Sequence, residues 1–202
     1  STAIGLEAMR YADDTATGSY TNNTAVGLYA LRGSATAANN TGTNNTALGA
    51  NALSGNTSGQ ENTAVGSAAM NQNTTGQLNT AVGFNTLYFN TTGTGNVALG
   101  DNALTTNVAK SYSTAIGYYA MHYAHSGAAA TTYNTAVGAF ALQGSTTAAN
   151  NMGTMNTAIG HSALISNTGG GNNSALGNGA LHDNTTGTSN TAMGYSALYQ
   201  NT

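Results

Sequence analysis

One short motif recurs eleven times along this chain and constrains its fold more than any other feature. The motif is Thr-Ala-(Ile/Val/Leu/Met)-Gly-x-x-Ala-(Leu/Met), with few departures such as Val97 and Thr86. Successive motif glycines are separated by 17 residues or by 21 to 22. Self-similarity at such a period is typical of a stacked repeat protein, in which each copy contacts its neighbours. The glycines, which we predict to begin a structural turn in each copy, are Gly5, Gly27, Gly49, Gly66, Gly83, Gly100, Gly117, Gly138, Gly160, Gly177 and Gly194.

A second, longer period overlies the first. The stretch that begins at Ser1 matches the stretch that begins at Ser113, and residues 32–40 match residues 143–151. Duplication of a six-copy block explains this pattern. We therefore predict a single domain over residues 1–202, with a first block at 1–112 and a partial second copy at 113–202.

The order of small, apolar and turn-forming residues favours strands over helices. Gly and Asn interrupt the apolar pairs in every copy, and such residues make a helix costly. In residues 62–76 we predict a first strand at Asn62–Val65, a turn at Gly66, a second strand with Ala69 and Met70, and a turn at Asn73–Gly76. The chain is thus predicted to be an all-β parallel β-solenoid (a β-roll) of eleven turns.

Each predicted strand carries two adjacent apolar residues, an Ala followed by a larger aliphatic residue. Because neighbouring strand residues point to opposite faces, this pair predicts that both faces are buried. On that hypothesis the large residue fills the interior and the Ala faces a closely packed neighbouring chain. The alternative is that the Ala fills a tight corner within a single chain.

Composition excludes several classes of function. Charged residues make up 4% of the chain, against about 25% in a typical protein. The three basic residues, Arg10, Arg32 and Lys110, are too few and too scattered for a nucleic-acid interface. The chain contains no run of 18 apolar residues, so the sequence does not predict a membrane span. The six acidic residues are dispersed, so we predict neither an enzyme nor a cofactor site.

The run Asn-Thr-Ala-Val-Gly-x-x-Ala-Leu resembles the head repeats of trimeric autotransporter adhesins (the YadA-like head). It is also similar to repeats of phage tail fibres and of large bacterial surface proteins. The resemblance covers all eleven copies and implies a left-handed β-roll with three chains packed around an axis. It further implies adhesion or receptor binding, at an extracellular, cell-surface or virion location.

Candidate binding residues lie in or beside the turns. Tyrosine is well suited to contact surfaces, and a glycan or a surface protein is the expected receptor. These tyrosines are Tyr29, Tyr118, Tyr119, Tyr123 and Tyr195. Packing against a neighbouring chain explains them equally well. We also expect ligand contacts in the long turns, at residues 10–20, 32–44, 122–133 and 143–155.

Metal and glycosylation sites have weaker support. Asp13 with Asp14, and His122 with His125, supply too few ligands for calcium or zinc, so we predict no metal site. Eight Asn-x-Ser/Thr sequences occur, and most follow from the turn motif. Turn formation is therefore preferred to glycosylation for Asn22, Asn39, Asn44, Asn56, Asn73, Asn90, Asn172 and Asn184.

Two functions remain open at this stage. The first is a structural or adhesive fibre module whose partners are copies of itself, as a homotrimer or a head-to-tail filament. Filament growth is expected because the first and last copies are standard repeats without a polar cap. The alternative is an ice-binding β-solenoid, because a column of Thr on a charge-poor face can order water.

Overall fold

The computed structural model describes residues 1–11, 21–123, 131–147, 151 and 153–201. Each motif copy contributes one three-residue strand, and the strands form one parallel sheet in chain order. The strands are β1 (Thr2–Ile4), β2 (Thr24–Val26), β3 (Thr46–Leu48), β4 (Thr63–Val65), β5 (Thr80–Val82), β6 (Val97–Leu99), β7 (Thr114–Ile116), β8 (Thr135–Val137), β9 (Thr157–Ile159), β10 (Ser174–Leu176) and β11 (Thr191–Met193). The predicted all-β parallel β-solenoid is confirmed.

Equivalent motif residues are stacked in register from one repeat to the next. Ala64 of β4 pairs with Ala47 of β3 and with Ala81 of β5. Among the described residues, the single helical element is a short 3₁₀ turn at Ala37–Asn39. We call each repeat unit a coil, and the sheet runs from the first coil to the last without a change of order.

The residues that follow the motif glycine also bond to neighbouring coils, and we call this part the turn segment (residues 67–72 in the fourth coil). The Asn85 amide donates to Ser67 O in the coil before it (3.1 Å), while the Met70 amide donates to Thr86 O in the coil after it (2.9 Å). Backbone hydrogen bonds therefore tie the coils together well beyond the three strand residues.

The predicted second strand at Ala69 and Met70 is wrong, because the turn segment is not extended. Ala68 and Met70 have positive φ, at 58° and 51°, and equivalent residues of the other coils share this sign. A strand needs φ near −120° at successive residues. The Ala69 amide instead donates to Gly66 O at 3.3 Å, which closes a tight turn. Each coil therefore holds one strand rather than two.

Residue choice in the turn segment follows from this backbone. Thirty described residues other than Gly have positive φ, and none of them is Val, Ile or Thr. Branching at Cβ makes the left-handed conformation particularly unfavourable. The fourth residue after the motif glycine is accordingly always Leu or Met. The last strand residue, which is extended, is Val or Ile in seven of the eleven coils.

The interior of the coils between the first and the last is filled by one large side chain and two small ones per coil. Ala64, Ala69 and Met70 are all fully buried in the fourth coil. The large side chain thus comes from the turn segment, and only Ala fits opposite it on the inner side of the strand. The expectation that the strand's larger residue fills the interior is wrong: Leu48 and Leu99 lie on the outer side, 46% and 44% exposed.

Buried asparagines form two further columns inside the coils. In the first, the backbone N–H of Asn62 donates to Asn45 Oδ1 (3.0 Å), and the backbone N–H of Asn79 donates to Asn62 Oδ1 (3.0 Å). In the second, Asn73 Nδ2 donates to Asn56 Oδ1 at 2.7 Å and also to Gly76 O of its own turn at 3.1 Å. These side chains therefore satisfy buried polar groups without any charge.

The long turns that begin at Arg32 and Gln143 have matching sequences, and they share one pattern of hydrogen bonds. Asn40 Nδ2 donates to Ser34 O at 2.7 Å, and Asn40 Oδ1 accepts from the Ser34 amide at 2.9 Å. Asn151 makes the same pair of bonds with Ser145, at 2.8 Å and 2.9 Å. Each Asn side chain thus fastens the base of its long turn.

Candidate functional site

The motif glycines stand where the strand ends and the turn segment begins. Their φ lies between 124° and 138° in all eleven coils, a conformation open to Gly and very unfavourable for other residues. Neighbouring coils also approach closely here, since a Cβ on Gly117 would lie 2.6 Å from Gly138 O. These residues fix the path of the backbone and leave no room for a ligand.

The outer side of the eleven strands forms an exposed surface of uniform chemistry, and we call it the outer sheet face. Its two columns are the first and third residues of each strand, and every one of these residues is exposed or half-buried. One column is Thr in nine coils, with Val97 and Ser174 in the other two. The second column is always Val, Ile, Leu or Met. Neither column contains a charged residue.

Apolar side chains also border the outer sheet face. On one border are Leu78, Tyr112, Tyr133 and Met155, two residues before their strands, and the rings of Tyr112 and Tyr133 stack at 5.7 Å. The other border is the position after the motif glycine, where exposed large residues are Leu6, Leu28, Phe84, Tyr118 and Tyr195.

Exposed large hydrophobic residues are therefore concentrated on one side of the solenoid. Of the 19 such residues described, 16 lie in the outer sheet face or its two borders, a far from random distribution. The other three are Phe89, and Leu198 with Tyr199 in the last coil. Sequence reasoning missed this surface because it predicted the strand's aliphatic residue to point inward.

Three of the five predicted binding tyrosines come together in one group, the aromatic cluster. Tyr118 and Tyr119 have ring centres 4.5 Å apart, and Tyr119 lies 4.3 Å from the His122 ring. Tyr123 packs edge-on against His122 at 4.4 Å. Phe140 of the next coil lies 5.5 Å from Tyr118. The stacking of coils thus assembles a continuous ring surface from residues far apart in sequence.

The other two predicted tyrosines stand apart from this cluster. Tyr29 lies in the second coil beneath the Arg32 guanidinium, which is 5.0 Å from the ring centre. Tyr195 is 83% exposed in the last coil. His182 stacks on Tyr199 at 4.4 Å and hydrogen-bonds Asp183 through Nδ1 at 2.5 Å. None of these groups makes a ring contact with the aromatic cluster.

His122 is the titratable residue of the cluster whose environment is most unusual. Burial lowers the pKa of its imidazole below the ordinary value, since a buried ring resists acquiring charge. A hydrogen bond between Nδ1 and Asn102 O, at 3.0 Å, opposes that effect. The ring is therefore neutral near pH 7 and contributes to the cluster as an aromatic surface.

In the described part of the chain, no three His, Cys, Asp or Glu residues are grouped so that they could hold a metal ion. Glu7 forms an ion pair with Arg10, and Asp101 accepts a hydrogen bond from Asn102 Nδ2 at 2.6 Å. Asp13, Asp14 and His125, considered for calcium and zinc, lie outside the described residues. Within those residues there is also no helix able to cross a membrane.

The glycosylation sequences divide into two groups by burial. Asn56, Asn73, Asn90 and Asn184 are at most 3% exposed and take part in the second asparagine column. They cannot carry a glycan in the folded coil. The exposed members are Asn22, Asn39, Asn44 and Asn172.

No family model, curated protein or solved structure matches this chain.

Proposed function

We propose that this chain is a structural repeat module of an extracellular or virion fibre, which binds a cell-surface glycan or protein receptor. The observation that carries the proposal is the unbroken eleven-strand ladder in constant register. With neighbouring strands about 4.8 Å apart, the ladder spans roughly 50 Å. A stack of hydrogen-bonded coils is suited to holding a binding surface away from a cell or particle. Copies of the chain, as a homotrimer or a head-to-tail filament, are the proposed structural partners.

Receptor contact is assigned to the aromatic cluster and to the four predicted long turns, of which residues 12–20, 124–130, 148–150 and 152 lie outside the described residues. Tyr119 and Tyr123 combine flat apolar rings with hydroxyl groups, which suits both sugar faces and protein surfaces. Their rings are held in place by packing against His122 and Phe140. A rigid scaffold that presents side chains at its turns is a common arrangement for binding sites.

The fibre proposal requires an elongated molecule, and the shape of the chain in solution tests it. Small-angle X-ray scattering and negative-stain electron microscopy of the full chain should show an elongated particle about 50 Å long, or a multiple of that length if coils stack end to end. A compact, nearly spherical particle would contradict the fibre proposal.

Receptor binding is tested with a matched pair of variants on a panel of glycans and on cells. Tyr119→Ala with Tyr123→Ala should reduce binding at least tenfold, because ring contacts are lost. Tyr88→Ala, which removes an aromatic ring from the turn segment of another coil outside the aromatic cluster, should not. Equal binding by both variants would remove the aromatic cluster from the proposal.

Ice binding is the second candidate, and the exposed Thr column favours it. Those hydroxyls repeat at about 4.8 Å on a surface without charges. Val97 and Ser174 interrupt the column. Thermal hysteresis of the purified chain tests ice binding. A measurable freezing-point depression that Thr80→Lys abolishes would support this function. No measurable depression would remove the candidate.

A further inference from the structure

We propose that the outer sheet face is the surface on which copies of this chain pack side by side. This inference rests on the proposed fibre function and names the surface that holds the fibre together. It replaces the sequence-based expectation that the strand alanines face the neighbouring chain, since those alanines lie inside the coil.

The first support is the one-sided distribution of exposed hydrophobic residues. Sixteen of the 19 lie in the outer sheet face or its borders. Soluble monomers rarely leave a long contiguous apolar surface in water, and such a surface commonly marks an interface. Here it follows the whole ladder from Ile4 to Met193, so the partner must also be long.

The second support is periodicity, which selects a copy of this chain over other partners. The aliphatic residue recurs once per coil, at the spacing of hydrogen-bonded strands. Another copy carries the same side chains at the same spacing, so contacts that fit in one coil fit in all eleven. A partner with a different repeat would match this face at only a few coils.

The third support is charge. The two columns of the outer sheet face contain no charged residue, so two copies meet without like-charge repulsion. Two carboxylates, Glu61 and Asp101, stand on its borders. This arrangement, an uncharged centre with a more polar rim, is the usual anatomy of a stable interface.

The available area is adequate for a stable assembly. Eleven partly exposed aliphatic side chains and their Thr neighbours offer on the order of 800 Å² per copy, as much as each partner contributes to a standard-size protein interface. The Thr hydroxyls keep their hydrogen-bonding capacity through water at the edges or through one another across the interface.

The test uses the full chain and compares two double variants by sedimentation velocity and light scattering. Val65→Asp with Val82→Asp places two charges in the centre of the outer sheet face. Gln72→Asp with Thr75→Asp adds the same charge at exposed positions off the face. We expect the unmodified chain and the second variant to form oligomers with at least twice the monomer mass of 20.1 kDa, and the first variant to be monomeric.

A milder pair of variants separates loss of association from loss of fold. Val65→Thr with Val82→Thr keeps the branched shape that suits a strand but removes apolar surface, and it should weaken association at least tenfold with an unchanged circular dichroism spectrum. An unmodified chain that stays monomeric at 100 µM, or a Val65→Asp and Val82→Asp variant that still associates, would overturn the inference. A monomer that is nevertheless a 50 Å rod leaves the fibre proposal intact, whereas a globular particle overturns that proposal instead.

Discussion

The strand and the turn segment of a coil have the same sequence pattern, but the larger apolar residue of the pattern is outward in the strand and buried in the turn segment. Both contain an Ala followed by a larger apolar residue, as in Ala64–Val65 and Ala69–Met70. In the strand, the Ala is buried and Val65 points outward; in the turn segment, both residues are buried. The difference comes from the backbone. Alternation of side chains applies to extended residues, and Met70 has a φ of 51°.

This comparison shows which residue defines the inside of the solenoid. One Leu or Met from the turn segment is buried in each of the first ten coils, and the strand alanines from Ala25 onward pack around these side chains. The strand's own aliphatic residue is thereby left for contacts outside the coil. Similar apolar residues a few positions apart are therefore buried in one place and exposed or half-buried in the other.

The largest expected effect comes from truncating the same residue on the two segments of one coil. Leu104 is fully buried in the turn segment, and Leu99 is 44% exposed on the strand. Leu104→Ala should lower the free energy of unfolding by about 2–5 kcal/mol through loss of burial and creation of a cavity. Leu99→Ala should cost less than about 1 kcal/mol in chains kept dilute enough to be monomeric. Denaturant unfolding followed by circular dichroism measures both, and equal losses would erase the proposed distinction.

Enlarging the inner strand residue should have the next largest effect. Ala64 is fully buried beside Met70, so Ala64→Leu should overpack the coil and cost about 1–3 kcal/mol. Ser67→Leu, at an exposed position of the same coil, is the control and should change stability by less than about 0.5 kcal/mol. An unchanged melting temperature for Ala64→Leu would mean that the strand alanine does not face the interior.

Moving a branch point from Cγ to Cβ tests the backbone difference itself. Leu104→Ile keeps side-chain volume but places a β-branched residue at a φ of 53°, and it should destabilise by about 1–2 kcal/mol. Leu99→Ile makes the same change in an extended residue and should be neutral or slightly stabilising. Thermal melts of the two variants provide the comparison. A neutral Leu104→Ile would show that the sign of φ does not explain the absence of Val and Ile in the turn segment.

The smallest expected effect is the pH dependence of stability caused by His122, which lies in the turn segment of its coil. The folded pKa of His122 lies below the unfolded value of 6.5, so the unfolded chain binds the proton more readily. The corresponding stability is present at neutral pH and is lost as pH falls through 6.5 towards the folded pKa. Melting temperatures of the native chain should decrease modestly from pH 7.5 to pH 5.5, and by less in His122→Gln. An identical decrease in both would assign the pH dependence to other groups.

Much of the fold was predictable because the repeat itself encodes it. The spacing of the glycines predicted the bounds of the first strand to within one residue of those observed. In the predicted turn, the Asn73 side chain does hydrogen-bond to the backbone of the same turn, at Gly76 O. The direction of the side chains was not predictable from hydrophobicity, since Ala64 and Val65 are both apolar. The absence of Val and Ile at the position of Met70 was the available signal, and it needed the link between β-branching and φ.

The candidate surfaces were predictable only in part. Tyr118, Tyr119 and Tyr123 could be named from sequence, but the contacts of Tyr118 and Tyr119 with Phe140 depend on the register between coils. The outer sheet face was missed because its residues, such as Leu99, look like core residues in a linear pattern. Exposure became evident only when the interior proved to be filled from the turn segment.

The most direct test of the account compares the reactivity of cysteines placed at neighbouring strand positions, in a chain that has no native cysteine. Val65→Cys should react in the folded protein, either with a maleimide or with another copy to form a disulfide-linked dimer. Ala64→Cys should do neither until the chain is unfolded, because its side chain points into the coil. Rapid reaction of Ala64→Cys in the folded state, with Val65→Cys unreactive by both routes, would contradict the assignment of inner and outer sides.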